Sequence, residues 1–185
     1  VRVSKERRQV VEIMVKGAVA KLRGLYQAGE IDGVVAIGGM SSAVLASSIM
    51  EEIPWRIPKL IVSSAASMPS SNRFFGPTGI TVMHSLVDIG GLNSLLKAQL
   101  ARAAGAICGM VEEETLLPSL TQQKPMVAIS AYGYTENCAR YLCQALEKSY
   151  EPVRFHASGV PEIAMEKLTE DSFFAGVIDL VPSSV

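Results

Sequence analysis

The sequence predicts an α/β protein in which parallel sheets are flanked by helices, forming parts of two Rossmann-like lobes. Short apolar runs alternate along the chain with longer helical patterns, which is typical of parallel strands joined by helical crossovers. Glycines or small polar residues follow most of the apolar runs. The chain is 49% hydrophobic and 19% charged, as expected when strands are buried on both faces of a sheet.

The first lobe begins with an amphipathic helix over Ser4–Ala28, because apolar residues recur there with a helical period. Its charged side chains are expected to face water, and Gly29 is expected to end it. Three strands and two helices follow: strands Gly33–Ile37, Lys59–Ser63 and Ile80–His84, and helices Ser41–Glu51 and Leu92–Glu113.

A change of composition between Glu112 and Lys124, with Pro118 inside it, marks a boundary. The lobes are therefore predicted over residues 1–118 and 123–185. After the boundary the alternation restarts, with strands Pro125–Ser130, Val153–His156 and Gly176–Val181 and helices Thr135–Lys148 and Pro161–Leu168. Each run is incomplete as an α/β lobe and the chain does not begin with Met, so we expect it to be part of a longer protein.

Composition and charge argue against several classes of function. A net charge of −1 argues against a surface that coats nucleic acid, and no apolar run is long enough to span a membrane. The cysteines Cys108, Cys138 and Cys143 lack a CxxC spacing and are odd in number, which predicts a reduced, cytoplasmic setting. No cluster of Cys, His and Asp predicts a metal site.

The main candidate site follows the first strand, where Gly38 and Gly39 precede Ser41 and Ser42. Glycines allow a sharp turn and a close approach to a ligand, and a helix start presents unpaired N–H groups with partial positive charge. This combination predicts a site for phosphate or carboxylate. The alternative is a glycine turn with serine N-caps. The pattern is neither a Walker motif nor a GxGxxG fingerprint.

Polar residues also follow the second and third strands. Ser63, Ser64 and Ser67 are expected to line the same crevice, or else to form a plain polar loop. His84 and Asp88 could act as acid–base partners, or could hold a ribose or a metal. Asp88 could instead cap the turn that leads to the next helix.

The second lobe repeats the design of strand, small turn and helix at His156, Ser158 and Gly159. His156 is therefore a second candidate for acid–base chemistry, or for a ligand contact. The segment Tyr132–Asn137 is first a turn with Thr135 as N-cap, and second an aromatic wall for a base or a sugar. No nucleophile elbow or Cys/His signature is present, so the sequence shows no complete catalytic set.

Several segments, in this order and spacing, resemble one family: Gly33–Gly39, Ile57–Ser63 with Ala66 and Ser67, Ser85–Ser94, Ala103–Ala106 with Gly109–Val111, Phe155–Gly159 and Ala164–Leu168. The family is the N-terminal module of the tomato mosaic virus resistance protein and its bacterial and fungal relatives, often labelled ATP-binding. The resemblance implies a two-lobed α/β module that binds a nucleotide, with ATP as the possible cofactor, and that forms dimers. The plant member inhibits viral replication proteins.

A complete module of that family has another βαβ unit before residue 1 and more sheet after Val185, so the chain resembles its middle. Relatives tend to have the sequence Gly-Gly-Ser-Gly-Gly-Thr-Ser at the turn where this chain has Gly38–Val44. With two fewer glycines, the backbone is less able to wrap closely around a phosphate.

These observations predict binding of a small anionic ligand, a nucleotide or another phosphorylated or carboxylated molecule, in a cleft between the lobes. The expected ligand-binding residues are Gly38, Gly39, Ser41, Ser42, Ser63, Ser64, Ser67, Asp88, Asn93, His156, Ser158 and Gly159. One alternative is an enzyme that acts on such a substrate through His84 or His156. Another is an interaction module, which would use the helix Leu92–Val111 and the loop Met68–Gly79 with Phe74 and Phe75. The expected partners are the anionic ligand and a second copy of the chain, with no nucleic acid and no membrane.

Overall fold

The computed structural model describes residues 2–69, 71, 77, 79–116 and 124–181, and of 2–7 and 114–116 only the backbone. The chain divides into two units, residues 1–116 and 117–185, and each contains a three-stranded parallel sheet. Helices flank both sheets, so the predicted fold class is confirmed. The predicted loop residues Phe74 and Phe75, and Pro118 of the predicted boundary, lie outside the described residues.

The first unit contains a sheet of three parallel strands in the order β1-β2-β3, with Gly38, Ser63 and His84 as their last residues. The predicted strands agree with the observed ones to within one residue. The elements in chain order are α1 (Arg2–Gln27), β1 (Val34–Gly38), α2 (Met40–Met50), β2 (Lys59–Ser63), β3 (Ile80–His84) and α3 (Ser94–Leu116).

The central strand β2 is buried along its whole length, because α2 covers one face of the sheet and α3 the other. Ile61 packs with Ala43 and Met50 of α2. On the opposite face, Leu60 and Val62 pack with residues of α3 around Ala103. A strand covered on both faces needs apolar residues at successive positions, which explains why β2 does not alternate.

Helix α1 ends as predicted at Gly29, whose φ of 67° is in the left-handed region. The Gly29 N–H donates to Tyr26 O and the Glu30 N–H to Leu25 O, both at 2.9 Å, which is the Schellman arrangement. A 3.6-residue period predicts that one apolar side of α1 is buried against the protein. None of residues 8–27 is buried, so this apolar side is covered only in part. Helix α2 is the main element in contact with α1 among the described residues.

In the second unit β4 is the central strand of a parallel sheet with the order β5-β4-β6. The chain passes from β4 to β5 on one side of β4, and then from β5 to β6 on the other side. Because both crossovers are right-handed, α4 and α5 lie on opposite faces of the sheet. Ala139 of α4 packs with Ile129 and Ala131 of β4. The elements are β4 (Met126–Ala131), a 3-10 turn (Gly133–Thr135), α4 (Glu136–Leu146), β5 (Glu151–His156), α5 (Val160–Glu170) and β6 (Gly176–Asp179).

No described helix combines the length and the apolar character that crossing a bilayer requires.

Candidate functional site

The carboxyl ends of β1, β2 and β3 form one edge of the first sheet, where Gly38 pairs with Ser63 and Ser63 with His84. Open α/β sheets bind ligands outside this edge. The structure therefore brings together three of the sequence-predicted residues, one from each strand. We call this row and the turns that follow it the first edge.

Gly38 permits close packing between the end of β1 and the start of α2. A Cβ placed on Gly38 would lie 2.4 Å from Ser42 Cβ and 2.7 Å from Ser42 Oγ. Both distances are shorter than any non-bonded contact of a real Cβ. The first turn of α2 can therefore fold back against the strand only if residue 38 is glycine.

The start of α2 is not capped by any side chain. Gly39 is the N-cap, and Ala43 N–H donates to Gly39 O at 2.9 Å as the first helical bond. The amides of residues 40–42 precede that bond, and the first turn of α2 contains no acidic residue. Neither the N-cap nor the first turn of α2 thus compensates the partial positive charge of the helix start. Ser41 and Ser42 lie within the first helical turn, so the alternative that they cap the helix is wrong.

Of the three serines after β2, Ser64 lies beside this helix start. Its Oγ is 3.9 Å from the position that a Cβ on Gly39 would occupy. Ser63 is buried, and its Oγ accepts a hydrogen bond from Ala65 N–H at 3.1 Å, which caps the 3-10 turn Ser64–Ser67. Ser67 is exposed at the end of that turn. The hydroxyl of Ser63 therefore serves the fold.

The polar residues after β3 have structural partners. Asp88 Oδ1 accepts from Ile89 N–H at 2.8 Å, so it shapes its own turn. Asn93 Oδ1 accepts from Leu96 N–H at 2.9 Å and caps the start of α3. His84 is half-buried, and its carbonyl oxygen accepts from the side chain of Gln99 at 3.0 Å.

A groove of about 440 Å³ continues from the start of α2 along the outer face of that helix towards α1. This volume lies within the range of small-molecule pockets. Its lining is mainly apolar apart from three serine hydroxyls, and consists of Val11, Met40, Ser41, Ser42, Val44, Leu45 and Ser48.

The second unit has a corresponding edge at the carboxyl ends of β5, β4 and β6, which we call the second edge. Ala131 pairs with His156 on one side of β4, and Ser130 pairs with Asp179 on the other. Tyr132 follows β4, and its ring centroid lies 5.2 Å from that of His156 and 5.7 Å from that of Tyr134. The three rings form a continuous and partly exposed aromatic surface.

Ser130 and Asp179 join the ends of β4 and β6. The buried Ser130 Oγ donates to Asp179 Oδ1 and accepts from Leu180 N–H at 3.1 Å. Asp179 Oδ1 also accepts from Val181 N–H at 3.1 Å. Asp179 is missing from the residues predicted from the sequence, because the strand was expected to continue to Val181. The observed strand β6 ends at Asp179. An acidic residue at the carboxyl end of a strand is the sequence signal by which Asp179 could have been included among the site residues.

Both helix starts in the second unit carry a carboxylate of their own. Glu162, in the first turn of α5, accepts from Gly159 N–H at 3.0 Å. Glu136 is the first residue of α4 and forms an ion pair with Arg154. The hydrogen bond from the Arg154 guanidinium holds the pKa of Glu136 below its ordinary value and raises the pKa of Arg154.

The carboxylate of Glu162 changes the role expected for the small turn after β5. The Gly159 amide is occupied by Glu162, and Ser158 is exposed, with its N–H donating to His156 O at 2.8 Å. Thr135 is the N-cap residue of α4, as predicted, but its side chain makes no capping hydrogen bond to that helix. Its Oγ1 accepts from Tyr132 N–H at 3.0 Å and so closes the 3-10 turn.

Among the described residues no group of three His, Cys, Asp or Glu side chains could hold a metal ion.

The fold and its two edges define an α/β protein built from two parallel-sheet units, and comparison with known families agrees with this. Residues 1–116 match the N-terminal domain of the Uncharacterised protein family (UPF0261), and residues 124–185 match the C-terminal domain of the same family. The chain belongs to the UPF0261 family.

The relatives include bacterial and plant proteins, which confirms the resemblance found in the sequence. The chain is 34% identical over 177 residues to a UPF0261 protein of Clostridium tetani, covering 95% of this chain and 43% of the relative. It is 33% identical over 183 residues to the ToMV susceptible protein tm-1(GCR26) of Solanum lycopersicum, covering 97% and 24%. It is also 33% identical over 179 residues to the ToMV resistance protein Tm-1(GCR237) of the same plant, covering 95% and 24%. The chain thus spans less than half the length of these relatives.

Proposed function

We propose that the first edge binds a small anionic ligand and that the start of α2 is its anion-binding element. One observation carries the proposal: Gly39 has no side chain, and among the described residues neither a capping group nor an acidic first turn occupies the amides of residues 40–42. Ser64 next to Gly39 adds a hydroxyl to the same place. Oriented amides at a helix N-terminus are a recurrent site for phosphate and carboxylate groups.

The ligand class follows from the surroundings of these amides. A phosphorylated or carboxylated molecule supplies the charge, and the adjoining groove of about 440 Å³ would take its apolar part. A nucleotide is one member of this class. ATP is the first to test, because of the family label given above.

Binding is favoured over catalysis as the role of this edge. A general acid or base is usually oriented by a second side chain. In the part of the chain that the structure describes, His84 is hydrogen-bonded at its backbone carbonyl rather than at its imidazole, and the ring of His156 in the second unit contacts Tyr132. A cytoplasmic location, a homodimer and lobe limits at 1–118 and 123–185 stay proposals for this chain. The free thiols of Cys108, Cys138 and Cys143 are compatible with a reducing compartment.

The substitution Gly39→Asp tests the proposal, because it places a fixed carboxylate where the ligand anion would bind. The backbone of Gly39 has φ −78° and ψ −167°, which any residue adopts, and the nearest neighbour of an added Cβ is 3.9 Å away. We expect the variant to be more stable by about 0.5–1 kcal/mol, since Asp is a strong N-cap. Its response to anionic ligands should disappear.

The measurement is thermal unfolding, followed by the fluorescence of the single tryptophan Trp55, in ATP or pyrophosphate against sodium chloride of equal ionic strength. A ligand that binds the native state raises the unfolding temperature by mass action. Gly39→Asn is the matched control, because Asn caps equally well without a charge and should keep part of the response. An equal response of Gly39→Asp and the unchanged chain would contradict the proposal, as would no response of the unchanged chain to a broad panel of phosphates and carboxylates.

A further inference from the structure

We propose that the second edge is a separate binding site, and that it takes an uncharged, planar heteroaromatic ring bearing hydrogen-bond donors, as in a nucleoside. The site consists of the aromatic surface of Tyr132, Tyr134 and His156 together with the carboxylate of Asp179. It does not depend on the anion site proposed for the first edge.

The strand order places Asp179 and the chain that follows β4 where a ligand is expected. The chain leaves β4 towards β5 on one side, and reaches β6 on the other side by a second crossover. In sheets with such a reversal, a crevice opens between the carboxyl ends of the two strands at which the direction changes. Here those strands are β4 and β6, and Ser130 and Asp179 face each other across that junction.

The aromatic surface supplies the stacking contact. Tyr132 is 44% exposed and Tyr134 is 76% exposed, although tyrosine rings normally bury most of their area. Tyr132 is tilted by 55° against both Tyr134 and His156, at centroid distances of 5.7 and 5.2 Å. Rings this close leave no slot between them, so a ligand ring has to stack on the outer face.

The polar groups select a donor rather than an anion. Asp179 Oδ1 is held by Ser130 Oγ and by Val181 N–H, which orients the carboxylate. Its second oxygen is then an acceptor for an amino or hydroxyl group of the ligand. Glu162 already binds the Gly159 amide at the start of α5, and Glu136 at the start of α4 is paired with Arg154. A phosphate would find the start of α5 occupied by Glu162 and would be repelled by the carboxylate of Asp179, so the site favours a nucleoside over a nucleotide.

The experiment uses the full chain of 185 residues and the four nucleosides adenosine, guanosine, cytidine and uridine. Saturation-transfer NMR should show stronger transfer to the base protons than to the ribose protons of at least one of them, and calorimetry gives its affinity. Tyr134→Leu should weaken binding about tenfold, in line with the loss of one stacked ring. Asp179→Asn should weaken the binding of a donor-bearing base by about threefold.

Tyr141→Leu is the matched control, because Tyr141 is 71% exposed on α4 of the same unit and is not part of the aromatic surface. It should leave the affinity unchanged, as should Gly39→Asp in the first unit. Tyr134→Leu is preferred to Tyr132→Leu because the more exposed ring contributes less to folding, and circular dichroism checks that each variant is folded.

Four results would overturn the proposal. They are no binding of any of the four nucleosides, the same affinity in Tyr134→Leu as in the unchanged chain, loss of nucleoside binding in Gly39→Asp, and binding of inorganic phosphate or tetramethylammonium at this surface in place of the nucleosides.

Discussion

The two units share a parallel sheet with polar residues at the carboxyl ends of its strands, but their helix starts differ in charge. In the first unit α2 begins at Gly39 with no side-chain cap and no acidic residue in its first turn. In the second unit α4 begins with Glu136, and α5 has Glu162 bound to the Gly159 amide. A repeated order of strand, turn and helix therefore does not imply a repeated function. An acidic residue in the first turn, present in α4 and α5 and absent from α2, distinguishes these helix starts.

The largest loss of stability is expected from a substitution at Gly38. The close packing of α2 on β1 requires this glycine, and the second unit has no equivalent of it. Gly38→Ala places a Cβ 2.4 Å from Ser42 Cβ, so α2 has to move away from β1. We expect the first unit to lose about 2–3 kcal/mol of its free energy of unfolding, as overpacked sites do. Urea unfolding followed by Trp55 fluorescence measures this loss.

Two further variants separate the steric cause from a general effect of alanine. Gly105→Ala on α3 adds a methyl group with no heavy atom within 4 Å, and should be neutral or stabilising by up to about 1 kcal/mol. Adding Ser42→Gly to Gly38→Ala removes the atoms that clash and should restore part of the stability. If the double variant is no more stable than Gly38→Ala, close packing against Ser42 is not the reason for this glycine.

The second unit should be most sensitive at Ser130, which has no counterpart in the first. Ser130→Ala removes the hydrogen bonds to Asp179 and from Leu180 N–H. We expect a loss of about 1–2 kcal/mol, because a donor is left without its partner. Far-UV circular dichroism in urea measures the change. Ser158→Ala at the same edge changes an exposed serine and should have almost no effect; equal losses in both variants would contradict the role given to Ser130.

The comparison of the helix starts is sharpened by removing a cap from the second unit. Glu162→Ala frees the Gly159 amide, to which Glu162 binds at 3.0 Å, and should cost about 0.5–1 kcal/mol. Pyrophosphate should then raise the stability of the second unit in this variant, whereas it should not change the stability of that unit in the unchanged chain. A variant that is destabilised but indifferent to pyrophosphate would show that an open helix start is not sufficient for anion binding.

The smallest effect on stability is expected from the exposed ion pair of Glu136 and Arg154. The Arg154 guanidinium lowers the pKa of Glu136 from its ordinary value of 4.5. The folded pKa is thus below the unfolded one, so the pair stabilises the fold above the unfolded pKa and this contribution is lost as the pH falls through the folded pKa. Carboxyl NMR titration should find the pKa of Glu136 raised in Arg154→Gln, and closer to normal at high salt. An unchanged pKa in that variant would exclude the ion pair as the cause.

Much of the fold could be predicted because its signals are local. The predicted strands Lys59–Ser63 and Ile80–His84 match the observed strands residue for residue. A short apolar run followed by small residues is typical of a parallel strand, so the limits of these strands are visible in the sequence. The Schellman end of α1 at Gly29 is equally local. The roles of the serines were less predictable. Nothing in the sequence distinguishes Ser63, which caps a 3-10 turn, from Ser64, which lies beside Gly39.

The order of apolar, glycine and polar residues along the chain was thus sufficient to predict the α/β class, most element limits and the glycine turn and helix start after β1, because each depends on neighbours within a few positions. Which side chains complete the two edges depends on strand pairing. Residues 49 positions apart, Ser130 and Asp179, meet because β4 and β6 are adjacent, and Tyr132 meets His156 because β4 also pairs with β5. Pairing of distant strands is decided by packing of the whole sheet, and no short segment of the sequence contains that information.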